Sequence, residues 1–255
     1  MKSEGGKTMT FWDHLDELRG VIVRMLLVIT LVATVAFVMK DELFTVVLAP
    51  RTSDFITYRL IGVEPFEIHL MNTGLTEQFM VHLKTAVYAG VLVASPYIIY
   101  LLFGFVAPAL YDNERHFATL LCASGYLMFM LGTALNYLLI FPLTLKFLGT
   151  YQVSEDVANM LTLQSYMDTL LTMNLVMGIV FELPVVSWLL GRMGVINATM
   201  MQAMRRHAVV AILIVAAIIT PTTDAFTLFV VALPIWLLYE LSIVIVRMTK
   251  QTNTE

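Results

Sequence analysis

The chain has 255 residues, of which 59% are hydrophobic and only 13% are charged. Soluble domains carry about a quarter charged residues, so this composition argues against a soluble protein and predicts one that crosses a membrane several times. The small net charge of −4 argues against a nucleic-acid-binding surface, and the single cysteine excludes a disulfide framework or a thiolate metal site.

A polar segment precedes the first apolar run. Residues 11–19 read Phe-Trp-Asp-His-Leu-Asp-Glu-Leu-Arg, with apolar residues at helical spacing and acids on the other side. We predict a short amphipathic helix at the membrane surface, which is either a simple anchor or a binding element. It runs into a first span at residues 20–39, where Arg24 is the only charged residue.

Further apolar runs follow along the chain, and most are long enough to cross a hydrocarbon layer of about 30 Å as helices. The segment 40–77 is interrupted by prolines and glycines, so it is predicted to form a structured cap with a short helix near 41–48. Residues 142–163 are predicted to be a loop. The predicted spans are 20–39, 78–107, 117–141, 164–190, 207–220 and 225–246.

The fold class that follows is an all-α polytopic membrane protein, a single membrane domain over residues 1–255 with six transmembrane helices. Six spans place both termini on one side of the membrane. Most of the 15 lysines and arginines fall on that side. Because cytoplasmic loops carry the excess of basic residues, we expect both termini in the cytoplasm and the cap outside.

The loop between spans two and three reads Phe-Val-Ala-Pro-Ala-Leu-Tyr-Asp-Asn-Glu-Arg over residues 105–115. Pro108 ends the preceding helix because proline lacks an N–H and clashes with the turn before it. The loop therefore presents the acid Glu114 beside the aromatic rings of Phe105 and Tyr111. It is either a plain polar hairpin or a recognition loop on the cytoplasmic side.

Among the residues of the predicted spans, Glu182 is the one whose insertion into a membrane costs the most free energy, about 2.5–3.5 kcal/mol for a carboxylate deep in the bilayer. It either contacts a partner or is a protonated acid bonded to Asn174, Gln164 or a neighbouring hydroxyl. Pro184 leaves a backbone carbonyl free beside it. Glu240 lies near the cytoplasmic end of the last span, which favours a structural role for that acid.

Two other classes of function fit the sequence less well. An intramembrane enzyme is disfavoured because no metalloprotease or phosphate-loop motif occurs. Asp168 and Glu182 would also lie about 21 Å apart on one helix, too far for a catalytic dyad. A proton-coupled transporter using Glu182 and Glu240 would need a continuous polar route, which the uncharged runs 85–107 and 117–141 do not offer. We expect no cofactor and no metal.

Several of these segments together resemble the TatC family, the multispanning subunit of the twin-arginine protein translocase. The matching motifs are His-Leu-Asp-Glu-Leu-Arg at 14–19, Pro-Ala-Leu-Tyr-Asp-Asn-Glu-Arg at 108–115 and Phe-Glu-Leu-Pro at 181–184. They occur in the family's order, and the likeness covers about residues 11–246.

The resemblance implies a cupped helix bundle without catalytic chemistry, whose cytoplasmic face binds signal peptides that carry two consecutive arginines. A carboxylate can pair with a guanidinium through two hydrogen bonds, and an aromatic face can stack on it. The residues that the resemblance assigns to this role are Glu17, Leu18, Arg19, Phe105, Tyr111 and Glu114.

The resemblance also implies partners and structural positions. Glu182 would meet the apolar part of the signal peptide or a partner helix, and Pro50, Pro184 and Asp224 would be structural or outer-face residues. The last outer turn is one residue longer than the family's usual Thr-Pro-Pro-Asp, which leaves the role of Asp224 open. The expected partners are signal peptides of folded cargo, single-span subunits of the TatA or TatB type, further copies of this chain, and the bilayer of a bacterial-type inner membrane.

Overall fold

The computed structural model describes residues 11–106, 115–151, 154, 160–220 and 224–249, and most of them are α-helical. Two two-residue strands, β1 (Leu70–Met71) and β2 (Leu161–Thr162), pair in parallel. The helices are α1 (Phe11–Val38), α2 (Lys40–Leu48), α3 (Ile56–Ile61), α4 (Glu77–Val106), α5 (Arg115–Leu135), α6 (Phe141–Thr150), α7 (Leu163–Val180), α8 (Leu183–Arg192), α9 (Ala198–Ala203), α10 (Arg205–Ile219) and α11 (Ala225–Met248).

Within the described ranges, five helical stretches are long and apolar enough to cross a membrane. A mostly helical fold with several candidate membrane spans is thereby confirmed. α10 has 15 residues and is about 22 Å long, less than the thickness of a hydrocarbon layer, so its role as a sixth crossing of the membrane stays a prediction. The five stretches are Leu15–Val38, Glu77–Phe105, Thr119–Thr150, Leu163–Arg192 and Ala225–Met248.

α1 and α4 pack along each other in opposite directions. Phe37, near the end of α1, stacks on His82, near the start of α4, with ring centroids 3.9 Å apart. Further along, a Cβ built on Gly90 would lie 2.8 Å from the carbonyl oxygen of Ile29 and 3.0 Å from the Cβ of Ala33. Only glycine permits this approach, so Gly90 fixes where the two helices touch.

Antiparallel packing gives the bundle two distinct ends. The cap end carries residues 40–77, and the far end carries residues 11–20, 100–106, 190–205 and 240–249. At the cap end, the rings of Phe147 and Phe226 lie 4.6 Å apart. At the far end, Arg205 forms an ion pair with Glu240.

The fourth long stretch is broken where the sequence places a proline. α7 ends at Val180 and α8 begins at Leu183, so Glu182 lies in the joint between them. The Glu182 amide donates to the carbonyl of Ile179, a tightened contact three residues back. Pro184 has no N–H to continue the ladder, so the predicted span 164–190 is interrupted at this joint.

The predicted loop at 142–163 is wrong over its first part. α6 continues the helix from Phe141 to Thr150, with a wide π-helical turn at Asn136–Ile140 before it. Pro142 cannot donate to the carbonyl of Leu138, but the hydroxyl of Thr57 donates to that carbonyl instead. The helix therefore continues through its proline after a π-helical turn, and the cap supplies a donor to the carbonyl of Leu138.

The cap is fastened to the bundle through Tyr58. Its hydroxyl oxygen lies 3.0 Å from the carbonyl oxygen of Pro50 and 2.9 Å from that of Pro142, and its single hydrogen is shared between these two acceptors. The side chain is only 1% exposed, and burial raises the pKa of Tyr58, so the hydroxyl stays a neutral donor. The hydroxyl of Tyr166 makes a second link, donating to the carbonyl of Val47 at 2.8 Å.

We predict that Tyr58→Phe destabilises the protein by about 1–3 kcal/mol, because two buried carbonyls lose the same donor. The measurement is heating of purified protein with a thiol-reactive dye, which reports unfolding through Cys122, the single and partly buried cysteine. Tyr100→Phe is the control, since that ring is 61% exposed. Equal unfolding midpoints for all three proteins would contradict the role of Tyr58.

Candidate functional site

The far end brings two of the predicted recognition segments to the same level of the bundle. Gly90 lies opposite residues 29–33, and α1 and α4 run in opposite directions. Extending that register along both helices places Leu18 level with about residue 103 of α4. Glu17 and Leu18 are half-buried, Arg19 is exposed, and Phe105 is half-buried in the last turn of α4.

Two predicted recognition residues, Tyr111 and Glu114, lie outside the described residues. The described chain stops at Val106, at the end of α4, and resumes at Arg115, the first residue of α5. Both helix ends belong to the far end. Tyr111 and Glu114 are therefore placed by sequence alone, within the eight positions that connect these helix ends.

Glu182 lies inside the bundle toward the far end, against the junction of α4 and α5. Both of its carboxyl oxygens are buried, and neither has a hydrogen-bond partner among the described residues. A Cβ built on Gly125 of α5 would lie 3.1 Å from Oε2 of Glu182. The same point would lie 2.8 Å from the ring of Phe103 and 3.2 Å from the side chain of Ile99, both on α4.

The partners expected for a purely structural Glu182 are engaged elsewhere, so that prediction is wrong for Asn174 and Gln164. The side-chain carbonyl of Asn174 accepts from the amide of Asn136 at 2.7 Å, between two buried residues. The side-chain amide of Gln164 lies 3.4 Å from Asp168. Glu182 is thus left among apolar side chains.

Glu77 shows what a structural buried acid looks like in the same protein. It is 6% exposed, and one carboxyl oxygen accepts from the amides of Thr73 and Gly74, both at 2.9 Å. The other oxygen accepts from the amide of Gln164, also at 2.9 Å. The sequence analysis does not predict these hydrogen bonds to Glu77, although an acid in the first turn of a helix often interacts with free backbone amides there.

The remaining singled-out residues lie at the ends of helices. Glu240 accepts from Arg205 at 2.7 Å, an ion pair between α10 and α11 that agrees with the structural role expected of that acid. Asp224 precedes α11, and its side chain accepts from the amide of Thr227 at 2.8 Å. Pro184 is buried in the first turn of α8, and Pro50 is buried in the cap.

The chemistry open to this arrangement is recognition rather than bond making. A carboxyl group in apolar surroundings must be neutral or must accept a hydrogen bond from a donor that another molecule brings. Glu182 fits that description, and the acid Glu17 at the far end can pair with a guanidinium. The described residues hold no group of three or more potential metal ligands.

Comparisons with known proteins agree with one another. The family model for the Sec-independent protein translocase protein (TatC) matches residues 13–234. The TatC protein of Koribacter versatilis is 34% identical over 95% of this chain and 87% of its own length. That of Deinococcus radiodurans is 32% identical over 92% of this chain and 85% of its own length. A crystal structure of the twin-arginine translocase receptor TatC superposes with a TM-score of 0.78 at 30% identity, covering 91% of this chain and 97% of the other.

The contrast between the two buried acids gives a prediction. Glu182→Met should stabilise the purified protein by about 1–3 kcal/mol, because it removes unpaired buried oxygens and keeps the volume. Glu77→Met should destabilise it by a similar amount, because three backbone amides lose their acceptor. The same dye-based unfolding of Cys122 measures both. Destabilisation by Glu182→Met would make Glu182 a structural residue.

Proposed function

Because this chain belongs to the TatC family of Sec-independent protein translocase proteins, we propose that it is the subunit that binds twin-arginine signal peptides at the cytoplasmic face of the inner membrane. As a family member it is a multi-pass membrane protein and a non-enzymatic subunit of the twin-arginine translocase. One observation carries the proposal: the family match runs through both recognition segments, His14–Arg19 and residues 108–115.

The proposed contact pairs each signal-peptide arginine with one acid. Glu17 of α1 binds one guanidinium and Glu114 binds the other, while Phe105 and Tyr111 supply aromatic faces. Leu18 adds an apolar contact next to these charges, and Arg19 gives the amino-terminal segment its own cation. The common level of Glu17 and the end of α4 supports this assignment, because a short peptide can then reach both helices.

Glu182 is proposed to meet the apolar part of the signal peptide or a helix of a single-span subunit. Its unpaired oxygens beside Gly125 support a donor from outside the chain. A glutamine keeps hydrogen-bonding capacity, so Glu182→Gln should retain part of the export activity in cells. Glu182→Met should lose more of it, even though the isolated protein is expected to become more stable.

The proposed topology has six spans in a cupped bundle, with α10 as the short fifth span and both termini in the cytoplasm. A helix of about 22 Å is shorter than the hydrocarbon layer, so the bilayer should thin beside α10. The excess of basic residues on the far-end side supports this orientation. The proposed complex also contains single-span subunits of the TatA or TatB type and further copies of this chain, and it exports folded cargo.

The orientation has a direct test in sealed cells, using a Cys122→Ala background with one new cysteine at a time. A membrane-impermeant thiol reagent should label a cysteine at Ser53, in the cap, because the cap is expected outside. It should miss a cysteine at Asn113, between α4 and α5. After the cells are opened, both positions should react, and the reverse pattern in sealed cells would overturn the topology.

Recognition is tested by binding of a twin-arginine peptide to purified protein at low and at physiological salt. Truncating one partner of a charge pair costs about 2–5 kcal/mol when the pair is desolvated, and much less at an exposed rim. We expect Glu114→Lys to lower affinity at least about tenfold, through loss and repulsion together. Glu114→Gln and Glu17→Gln should be milder.

Asp112→Asn is the matched control, because Asp112 lies two positions from Glu114 and is expected only to cap α5. All variants should be inserted at normal levels. Unchanged affinity in Glu114→Lys would remove Glu114 from the site and leave its loop a plain hairpin.

A further inference from the structure

A groove of about 480 Å³ lies open on the surface of the bundle between α4 and α7. Its wall is almost wholly apolar and includes Leu83, Val87, Val91, Leu171 and Leu175. Two charged residues interrupt this wall, both at the cap end of the groove. The groove therefore has charged residues at one end and a mostly apolar wall along the rest of its length.

The two charged residues are Lys84 and Asp168, which form an ion pair with Nζ and Oδ1 2.7 Å apart. Their side chains are 49% and 41% exposed, so both can be reached from the membrane. An ammonium group has three N–H donors, and Asp168 uses one of them. The other oxygen of Asp168 has only a long contact of 3.4 Å with Gln164. Each partner keeps capacity for one more charged group.

The depth of the ion pair matches the boundary between headgroups and hydrocarbon. The stretch Glu77–Phe105 has 29 residues and is about 43 Å long, which equals a bilayer with both headgroup regions. Lys84 lies about 10 Å from its start, close to where the headgroup region ends. Val91 lies about 10 Å deeper, within the hydrocarbon. The groove thus presents charges at headgroup depth and apolar surface at acyl-chain depth.

We propose that this groove binds a zwitterionic phospholipid with a primary ammonium headgroup from the leaflet at the cap end. The lipid phosphate accepts hydrogen bonds from Lys84, the headgroup ammonium donates to Asp168, and one acyl chain lies along Val87 and Val91. Both charges of the pair are then matched by opposite charges of one molecule.

Other occupants fit the groove less well. An anionic lipid would satisfy Lys84 but would bring its charge against Asp168, 2.7 Å from the lysine. A transmembrane helix with an apolar surface covers an apolar wall, but it brings no opposite charge to Lys84 or Asp168. The inference is independent of the proposed signal-peptide site, which lies at the other end of the bundle.

The test uses the full chain purified into bilayer discs of phosphatidylethanolamine, phosphatidylcholine and phosphatidylglycerol in equal amounts. Native mass spectrometry then counts the lipids that the protein retains. We expect phosphatidylethanolamine to be retained preferentially, and Lys84→Met or Asp168→Asn to lower that retention about fivefold. The double variant Lys84→Asp with Asp168→Lys keeps both charges and should retain the lipid.

Two further variants separate the groove from general lipid contact. Val87→Trp fills the groove without changing a charge and should lower retention as much as Lys84→Met. Arg59→Met breaks an exposed ion pair with Asp54 in the cap and should have no effect. Equal retention by all variants, or a preference of the unmodified protein for phosphatidylglycerol, would overturn the proposal. Loss of a co-purified single-span subunit from Val87→Trp, with lipid retention unchanged, would overturn it in favour of a helix.

Discussion

The structure depends on how the backbone carbonyls freed by two prolines are satisfied inside a membrane. No water is available there, so each carbonyl needs a donor from the protein. At Pro142, the cap supplies a donor to the freed carbonyl of Leu138 through Thr57, and the helix continues. At Pro184, the helix is interrupted, and Glu182 lies in the interruption. One proline therefore attaches the cap, while the other opens the candidate contact.

The two acids with buried carboxyl groups, Glu77 and Glu182, have different surroundings and different expected roles. At the cap end, the carboxylate of Glu77 accepts hydrogen bonds from a backbone amide just before α4 and from one in α7. Its charge therefore stabilises the fold. Toward the far end, the oxygens of Glu182 face Gly125 and aromatic carbon without a partner among the described residues. Stable proteins tolerate such a group where function requires it. The lack of hydrogen-bond partners therefore marks Glu182 as a candidate functional residue more clearly than its depth in the bundle does.

The sequence alone predicted the features that depend on local chemistry. Apolar runs located the long helices, and Pro184 was expected to leave a carbonyl free beside Glu182, but the joint in the fourth stretch was not predicted. The continuation through Pro142 was missed because its donor, Thr57, lies 81 residues from the carbonyl it serves. The link between Asn136 and Asn174 was missed for the same reason, since no local pattern shows which polar side chains meet. Tyr111 and Glu114 stay predictions, because both lie outside the described residues.

The close approach at Gly90 also has a mechanical consequence. α1 touches α4 with almost no gap between backbones at this point, so a movement of α1 along α4 would bring larger side chains into the place of Gly90. Leu18 lies about 20 Å from the contact on one side, and Phe37 about 9 Å on the other. α2 continues from α1 through the amide of Leu43, which donates to Met39. A ligand that pulled the amino-terminal segment sideways would therefore act on the cap through α1 and α2, while the contacts at Gly90 and at Phe37 hold α1 against α4.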